Sequence, residues 1–355
     1  MHDKVITNTD QVTAEWLDAA LRRSCALVSG GVAGYTLDGE ASTTARMARI
    51  AMTYRPDTTG QLPERLLLKL SGDTFGPSEV DYYTRDYRDL PDAPIPRCYD
   101  GRYDATRRAY HLLLEDLSAT HRDSWETAPS PAYCHAVAEA QARLHAHRWG
   151  VERFSAVGAT MPDEATIGRY IGHIRQGLEP LLADVGDQIP ANWRTGLREI
   201  FAWHPEAMLA RTRDPQGFCL IHGDTNPGNI LSPRSGTGRV YLIDRQPFDW
   251  SLTVWLGVSD LAYTMVHWWD TEPRRRYEQE VLRRYHQVLG ERGIAGYSWE
   301  QLLRDYRLAA LQSVYVAVEW CASEADRTSM RWVWWPQLQK AMHAYFDLDC
   351  GALRP

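Results

Sequence analysis

The chain predicts an α+β fold in two lobes, a small strand-rich N-terminal lobe over residues 1–115 and a larger helical C-terminal lobe over 116–355. Three observations carry this reading. The length of 355 residues suits one large domain or two lobes. The early part is built of short apolar runs separated by turn-rich stretches. After Glu115 the apolar residues fall at helical spacing.

In chain order, Thr13-Ala14-Glu15-Trp16 opens a short helix through Arg23 behind a Thr or Asp cap. Residues 32–38, 45–54 and 65–70 carry Val, Ile, Tyr and Leu and read as strands. Between the first two lies the small polar turn Gly39-Glu40-Ala41-Ser42-Thr43-Thr44. Pro77-Ser78-Glu79 starts a helix that runs through Asp89, where Pro91 stops it. Two further strands are expected at 95–99 and 109–114. In the second region, Val137, Ala140 and Leu144 mark a helical face over 133–147, and helices are expected at 164–182, 192–212, 274–289, 298–322 and 331–347.

Composition excludes several classes. With 44% hydrophobic and 24% charged residues the chain is of ordinary globular type. No apolar run approaches the roughly 18 residues of a membrane span. The start, Met1-His2-Asp3-Lys4, lacks the pattern of a secretory signal. A net charge of -7 argues against phosphate-neutralising nucleic-acid binding. Six scattered cysteines without a CxxC pair signal neither zinc nor a redox motif and fit a reducing cytosol. The expectation is a cytoplasmic protein, monomer or homodimer, with small-molecule partners and neither nucleic acid nor membrane.

Lysine occurs only at positions 4, 69 and 340, against 36 arginines. Lys69 stands inside Leu66-Leu67-Leu68-Lys69-Leu70, where a compact ammonium points to a task that a guanidinium cannot fill. An edge-strand lysine reaching to solvent is the plain alternative.

The chemistry concentrates in Cys219-Leu220-Ile221-His222-Gly223-Asp224-Thr225-Asn226-Pro227-Gly228-Asn229-Ile230-Leu231. Apolar flanks anchor both ends of a polar loop. Downstream, Val240-Tyr241-Leu242-Ile243-Asp244 delivers a carboxylate at the end of a strand, and a hairpin between 229–231 and 240–243 would bring Asn229 near Asp244. One amide and one carboxylate oxygen suit Mg²⁺, which keeps waters and takes phosphate oxygens. A separate carboxylate to orient a hydroxyl, a lysine for phosphates and a glutamate for the lysine complete a phosphoryl-transfer set. The D-x-x-x-x-N spacing, the later aspartate and the lysine on the third strand are a kinase arrangement, although no G-x-G-x-x-G is present.

His222-Gly223-Asp224 with Asn229 and Ile243-Asp244 resembles the aminoglycoside phosphotransferase and choline kinase superfamily. Ser42-Thr43-Thr44-Ala45-Arg46-Met47, Glu79-Val80-Asp81-Tyr82-Tyr83, Pro94-Ile95-Pro96-Arg97-Cys98-Tyr99, Leu112-Leu113-Leu114-Glu115-Asp116-Leu117 and Asp260-Leu261-Ala262 are similar to its ecdysteroid-kinase-like branch. The resemblance spans roughly residues 30–320 and implies a bilobal protein-kinase-like fold. It also implies a small-molecule kinase that uses ATP or GTP with Mg²⁺ to phosphorylate a hydroxyl of an antibiotic, sugar or amino alcohol, with antibiotic resistance as one role.

By the same resemblance, Asp224 is the base or hydroxyl-orienting group, and Asn229 and Asp244 hold the metal. Lys69 contacts the nucleotide phosphates and Glu79 pairs with it; a helix N-terminal charge is the bland reading of Glu79. Ser42, Thr43 and Thr44 form a phosphate-covering turn, and the Glu115–Leu117 hinge reads the purine. His222 braces the loop and Asp260 anchors it. The family often has an aromatic after the metal aspartate; here Arg245 follows, with phosphate, Asp249 or an altered acceptor site all open.

Nine of the fourteen tryptophans lie beyond Asp244, among carboxylates. Most are expected to pack helices, with Asp270 and Glu319 as acceptor contacts. A kinase-like nucleotide-binding regulatory protein without turnover is the alternative, and it would have lost the lysine, base or metal ligands. A protein kinase would show A-P-E and H-R-D motifs.

Overall fold

The computed structural model describes residues 4–41, 45–72 and 75–354; the expected phosphate turn at Ser42, Thr43 and Thr44 lies outside them. The chain divides into two compact units. The first comprises residues 1–122 together with 241–246, and the second 123–240 with 247–355.

The first unit begins with α1 (Ala14–Arg23). Thr13 starts it by accepting the Trp16 N–H on its hydroxyl at 3.1 Å. Five antiparallel strands follow: β1 (Val32–Ala41), β2 (Ala45–Tyr54), β3 (Arg65–Gly72), β4 (Cys98–Asp104) and β5 (Ala109–Glu115). Their order across the sheet is β1-β2-β3-β5-β4, so β3 is central.

Strand periodicity sorts the side chains of β3. Leu66, Leu68 and Leu70 join Ala48, Ile50 and Leu113 in a core that also takes Trp16, Leu17, Ala20 and Leu21 of α1. Lys69, opposite Met47 on β2 and Leu112 on β5, belongs to the other face. Strand β4 starts at Cys98, later than the 95–99 run predicts. Pro94 and Pro96 have no N–H to give a ladder, which delays the pairing.

Between β3 and β4 lies α2 (Ser78–Asp81), which continues as a wider π-type turn over Tyr82–Asp86. The sequence predicts one longer helix here. The segment buries Glu79, Val80, Tyr82, Tyr83 and Asp86.

The second unit is mainly helical. α3 (Pro131–His147) starts at Ser130, whose hydroxyl accepts the Tyr133 N–H, with Pro131 pre-set for the first turn. The single helix expected over 164–182 is two, α4 (Glu164–Arg175) and α5 (Leu178–Val185). Gly177 separates them: a Cβ there would lie 1.9 Å from the Val318 carbonyl oxygen, so only glycine permits the contact. α6 (Ala191–Arg211) follows.

Strands β6 (Phe218–Leu220) and β7 (Val254–Leu256) then pair antiparallel. α7 (Val258–Ala262) runs into a second π-type turn, Tyr263–Trp268. α8 (Thr271–Glu291), α9 (Trp299–Ala310), α10 (Gln312–Glu319) and α11 (Arg331–Asp347) complete the unit. The predicted 298–322 helix is thus interrupted at Leu311. Among the described residues no helix is long and apolar enough to cross a membrane, and all six cysteines are free.

His204 on α6 is fully buried, with Nδ1 paired to the Tyr315 hydroxyl and Nε2 to the Leu308 carbonyl. Burial pushes its pKa down to about 4. The unfolded chain therefore takes up a proton near pH 6.5 that the folded chain refuses, and stability is lost as pH falls from 6.5 toward 4. Denaturant titrations across that window should show a His204 component of about 1.4 kcal/mol per pH unit. His204→Gln should flatten the slope by that amount, and an unchanged slope would contradict the assignment.

Candidate active site

In the first unit the face of β3 opposite the apolar core presents an ammonium to two carboxylates. Lys69 Nζ donates to Glu79 Oε1 at 2.8 Å and to Asp244 Oδ1 at 2.6 Å. Lys69 is 6% exposed and Glu79 2%. Burial alone would lower the Lys69 pKa, but the Glu79 and Asp244 charges outweigh it and hold it above its ordinary value. Burial raises the Glu79 carboxyl against the pull of Lys69 and Tyr110. The bland alternative for Lys69, an edge lysine in solvent, is excluded by its place on the central strand.

Asp244 sits at φ +65°, in the left-handed region that aspartate tolerates better than most residues. This turns its side chain away from the preceding strand direction and onto Lys69. The following two residues are also held. Arg245 Nη1 lies 3.7 Å from Asp86 Oδ2, both groups being buried. Gln246 Nε2 donates to Glu79 Oε2 at 2.7 Å and to the Tyr110 hydroxyl at 2.9 Å. Asp86 is therefore one partner of Arg245.

In the second unit the loop after β6 is captured by one carboxylate. The backbone N–H groups of His222 and Gly223 donate to Asp260 Oδ2 and Oδ1 at 2.7 and 2.9 Å. His145 Nε2 on α3 pairs with Asp260 Oδ2 at 3.0 Å. Burial would raise the Asp260 pKa, yet His145, His222 and the Gly223 N–H hold it below the usual carboxylate range. Gly223, at φ +82°, makes the turn that lets the chain wrap this carboxylate. Thr225 donates its hydroxyl to the Asp260 carbonyl at 2.8 Å, and the Asp224 N–H donates to His222 Nδ1 at 3.3 Å.

Asp224 is thereby presented with its carboxylate in a fixed orientation. Oδ1 accepts from Asn226 Nδ2 at 2.8 Å and from the Tyr263 hydroxyl at 3.1 Å; Oδ2 accepts from Asn229 Nδ2 at 3.1 Å. Asn229 Nδ2 also donates to the Asp224 carbonyl at 2.9 Å. Both Asn229 donor contacts use Nδ2, which leaves Oδ1 as an acceptor. Among the described residues neither Asn229 Oδ1 nor Asp244 Oδ2 has a hydrogen-bond partner. Each is an oxygen ligand of the kind a hard divalent cation takes.

The remaining sequence-predicted residues fall as follows. Glu115 ends β5 opposite Leu66 and donates its N–H to the Arg97 carbonyl at 2.8 Å. The Leu117 carbonyl accepts the N–H groups of Thr120 and His121. Asp270 starts α8, is paired with Lys340 at 3.0 Å and is 82% exposed at its side chain. Glu319 Oε1 lies 3.3 Å from His173 Nε2, and His173 stacks on Trp250, which stacks on Phe248. The structure thus joins Lys69, Glu79 and Asp244 in one cluster and Asp224 and Asn229 in another.

Several participants escaped the sequence reading. Asn226 lies inside the motif, and its Asx turn onto the Gly228 N–H, with Pro227 between, was a signal available in the residues. Gln246 stands two residues after Asp244 in full view. Tyr110, Tyr263 and Asp86 come from distant segments and carry no local mark.

A model of the Phosphotransferase enzyme family matches residues 53–302 of this chain. The chain belongs to that family. An ethanolamine kinase from Plasmodium vivax is similar in structure, with a TM-score of 0.53 and 13% identity over 88% of this chain and 81% of its own. A glucosamine kinase is similar at a TM-score of 0.53 and 14% identity, over 94% and 98% of the two chains. The fold is therefore the α+β fold of protein-kinase-like small-molecule kinases, and the class is that of a phosphotransferase. No curated protein matches the sequence.

Removing the Asp260 carboxylate takes the acceptor from the buried His222 N–H and from the part-buried Gly223 N–H. Asp260→Ala should lower the unfolding free energy by about 3 kcal/mol, read as a drop in denaturation midpoint at constant slope. A loss below about 0.5 kcal/mol would show that the loop is held by other contacts.

Proposed function

We propose that the chain transfers the γ-phosphoryl group of ATP or GTP to a hydroxyl of a small molecule, an antibiotic, sugar or amino alcohol. The observation that carries this reading is the Lys69 ammonium held between Glu79 and Asp244 at 2.8 and 2.6 Å. A phosphotransferase must neutralise phosphate charge while keeping its cation in place, and a lysine tethered by a buried glutamate meets that need. Membership of the phosphotransferase family supports the same chemistry.

In this reading Lys69 holds the nucleotide phosphates and Glu79 holds Lys69. The Glu115–Leu117 segment reads the purine edge, and residues 42–44 cover the phosphates. Asn229 Oδ1 and Asp244 Oδ2 would take Mg²⁺, whose charge would offset that of the phosphates when bound. Asp224 orients the acceptor hydroxyl and takes its proton. The acceptor oxygen forms a bond to the γ-phosphorus as the bond to the β,γ-bridging oxygen breaks, and the nucleoside diphosphate leaves. The donors around Asp224 fix the carboxylate's angle, so positioning supplies more of the rate than basicity does.

The acceptor side is proposed from the second unit alone. Trp125 is 57% exposed and packs edge-on to Trp268. A Cβ on Gly228 would lie 3.1 Å from Trp125 Nε1, so this indole rests on the Asp224–Asn229 loop. Asp270 follows Trp268 by two residues and is the carboxylate we assign to the acceptor there. Glu319, beside the His173–Trp250–Phe248 stack, is the second. An aromatic face with a carboxylate suits an amine-bearing acceptor. Ethanolamine and glucosamine, named for the two structural neighbours, each join an amine to a hydroxyl and are the first acceptors to try. A cytoplasmic enzyme is part of the same proposal.

Asp224→Asn should lower transfer by about 10³-fold while nucleotide affinity, read by calorimetry, changes little. Full turnover by that variant would overturn the reading. Nucleotide binding by the unaltered chain with no transfer to any of a broad acceptor panel would favour a regulatory protein instead. With an acceptor identified, Trp125→Ala and Asp270→Asn should each raise its KM about tenfold and leave the nucleotide KM in place. Equal KM values in variant and parent would remove them from the acceptor site.

A further inference from the structure

The first unit contains a device that the family motif does not require. Five residues, 242–246, run beside α2 and its π-type turn, and most of them are tied to it individually. The Tyr82 hydroxyl donates to the Leu242 carbonyl at 3.2 Å. Tyr83 is hydrogen-bonded to the backbone of Asp244. Asp86 faces Arg245, and Glu79 accepts from Gln246.

Gln246 is the tie with a consequence for the phosphate-facing lysine. Glu79 is buried and has two oxygens. Oε1 takes the Lys69 ammonium. Oε2 takes the Tyr110 hydroxyl and the Gln246 amide. A carboxylate only accepts, so the Gln246 atom that faces it must be the NH₂. Tyr110 gives its proton to Glu79 and accepts from Gln246 on its own lone pair, at 2.9 Å. The three polar groups are mutually hydrogen-bonded, which restrains the carboxylate plane.

We infer that Gln246 is a positioning residue for Lys69, acting through Glu79. It holds Oε2 so that Oε1 stays aimed at the ammonium when Asp244 is drawn away to other ligands. Arg245 supports the same segment by its buried approach to Asp86, which also pairs with Arg85 at 2.8 Å. Glu79 therefore stays in register with Lys69 without any movement of α2, and the pair is assembled in the resting protein. This inference rests on the proposed role of Lys69 in holding the nucleotide.

The test is a double-mutant cycle on the full chain with Gln246→Met and Lys69→Ala, measured as kcat and as KM for nucleotide and for acceptor. Gln246→Met should raise the nucleotide KM about tenfold and leave the acceptor KM unchanged. In the Lys69→Ala background the same substitution should change it less than about twofold, because its target is gone. Gln246→Glu keeps the shape but sets a second carboxylate 2.7 Å from Glu79, so it should be worse than Gln246→Met. A packing role predicts the reverse order. Thermal unfolding of each variant identifies any that fail to fold, and the Glu–Met comparison is made only between folded proteins.

A tenfold effect that persists in the Lys69→Ala background would overturn the inference while leaving the proposed function standing. Full activity of Lys69→Ala itself would strike the proposed function instead. No effect of either Gln246 substitution would overturn the inference alone.

Discussion

One cation between two acids organises the first unit. The Lys69 ammonium is buried on the central strand, and its charge is compensated by Glu79 from α2 and by Asp244 from the 241–246 segment. Desolvating such a group costs several kcal/mol, which close, hydrogen-bonded partners must offset. The remaining donors to Glu79, Tyr110 and Gln246, are neutral and cannot replace that charge. The interaction thereby binds strand, helix and the 241–246 segment into one arrangement. It also explains a compositional oddity. In a chain that uses arginine nearly everywhere, the position between Glu79 and Asp244 is filled by a compact point charge and not a planar fork.

The second unit solves a related problem by other means. Its loop at His222–Asn229 is held by backbone N–H groups on Asp260, which is itself braced by His145. Main-chain capture sets the path of the loop regardless of the side chains it displays. Asp224 can then be oriented by short amides and one tyrosine hydroxyl. The first unit places a charge by charge, the second places a charge by geometry.

The fold class was legible because periodicity changes sharply after Glu115. The strands at 45–54 and 65–70 were readable as short apolar runs bounded by turn-rich stretches. Boundaries failed where the deciding contact is distant. Gly177 splits a helix because of the Val318 carbonyl, over a hundred residues away. The late start of β4 was written in Pro94 and Pro96, although the apolar run around them suggested otherwise. The motif at His222–Asp244 was legible because its spacing is rigid. Lys69 was visible through its rarity and its apolar setting. Asp86 and Tyr110 were not, since a buried acid and a strand tyrosine look ordinary until a partner is brought to them by topology. The polar turn at 42–44 lies outside the described residues.

The backbone at Asp244 has an implication for how this position tolerates drift. With φ at +65°, β-branched and bulky side chains are disfavoured there on steric grounds before any chemistry is asked of them. Glycine and asparagine accept the conformation but carry no charge to set against Lys69. Glutamate keeps the charge but loses the short side chain that suits the bend. Two independent filters, one conformational and one electrostatic, therefore overlap on a single amino acid, and the alphabet available at residue 244 shrinks almost to one letter without any selection for turnover.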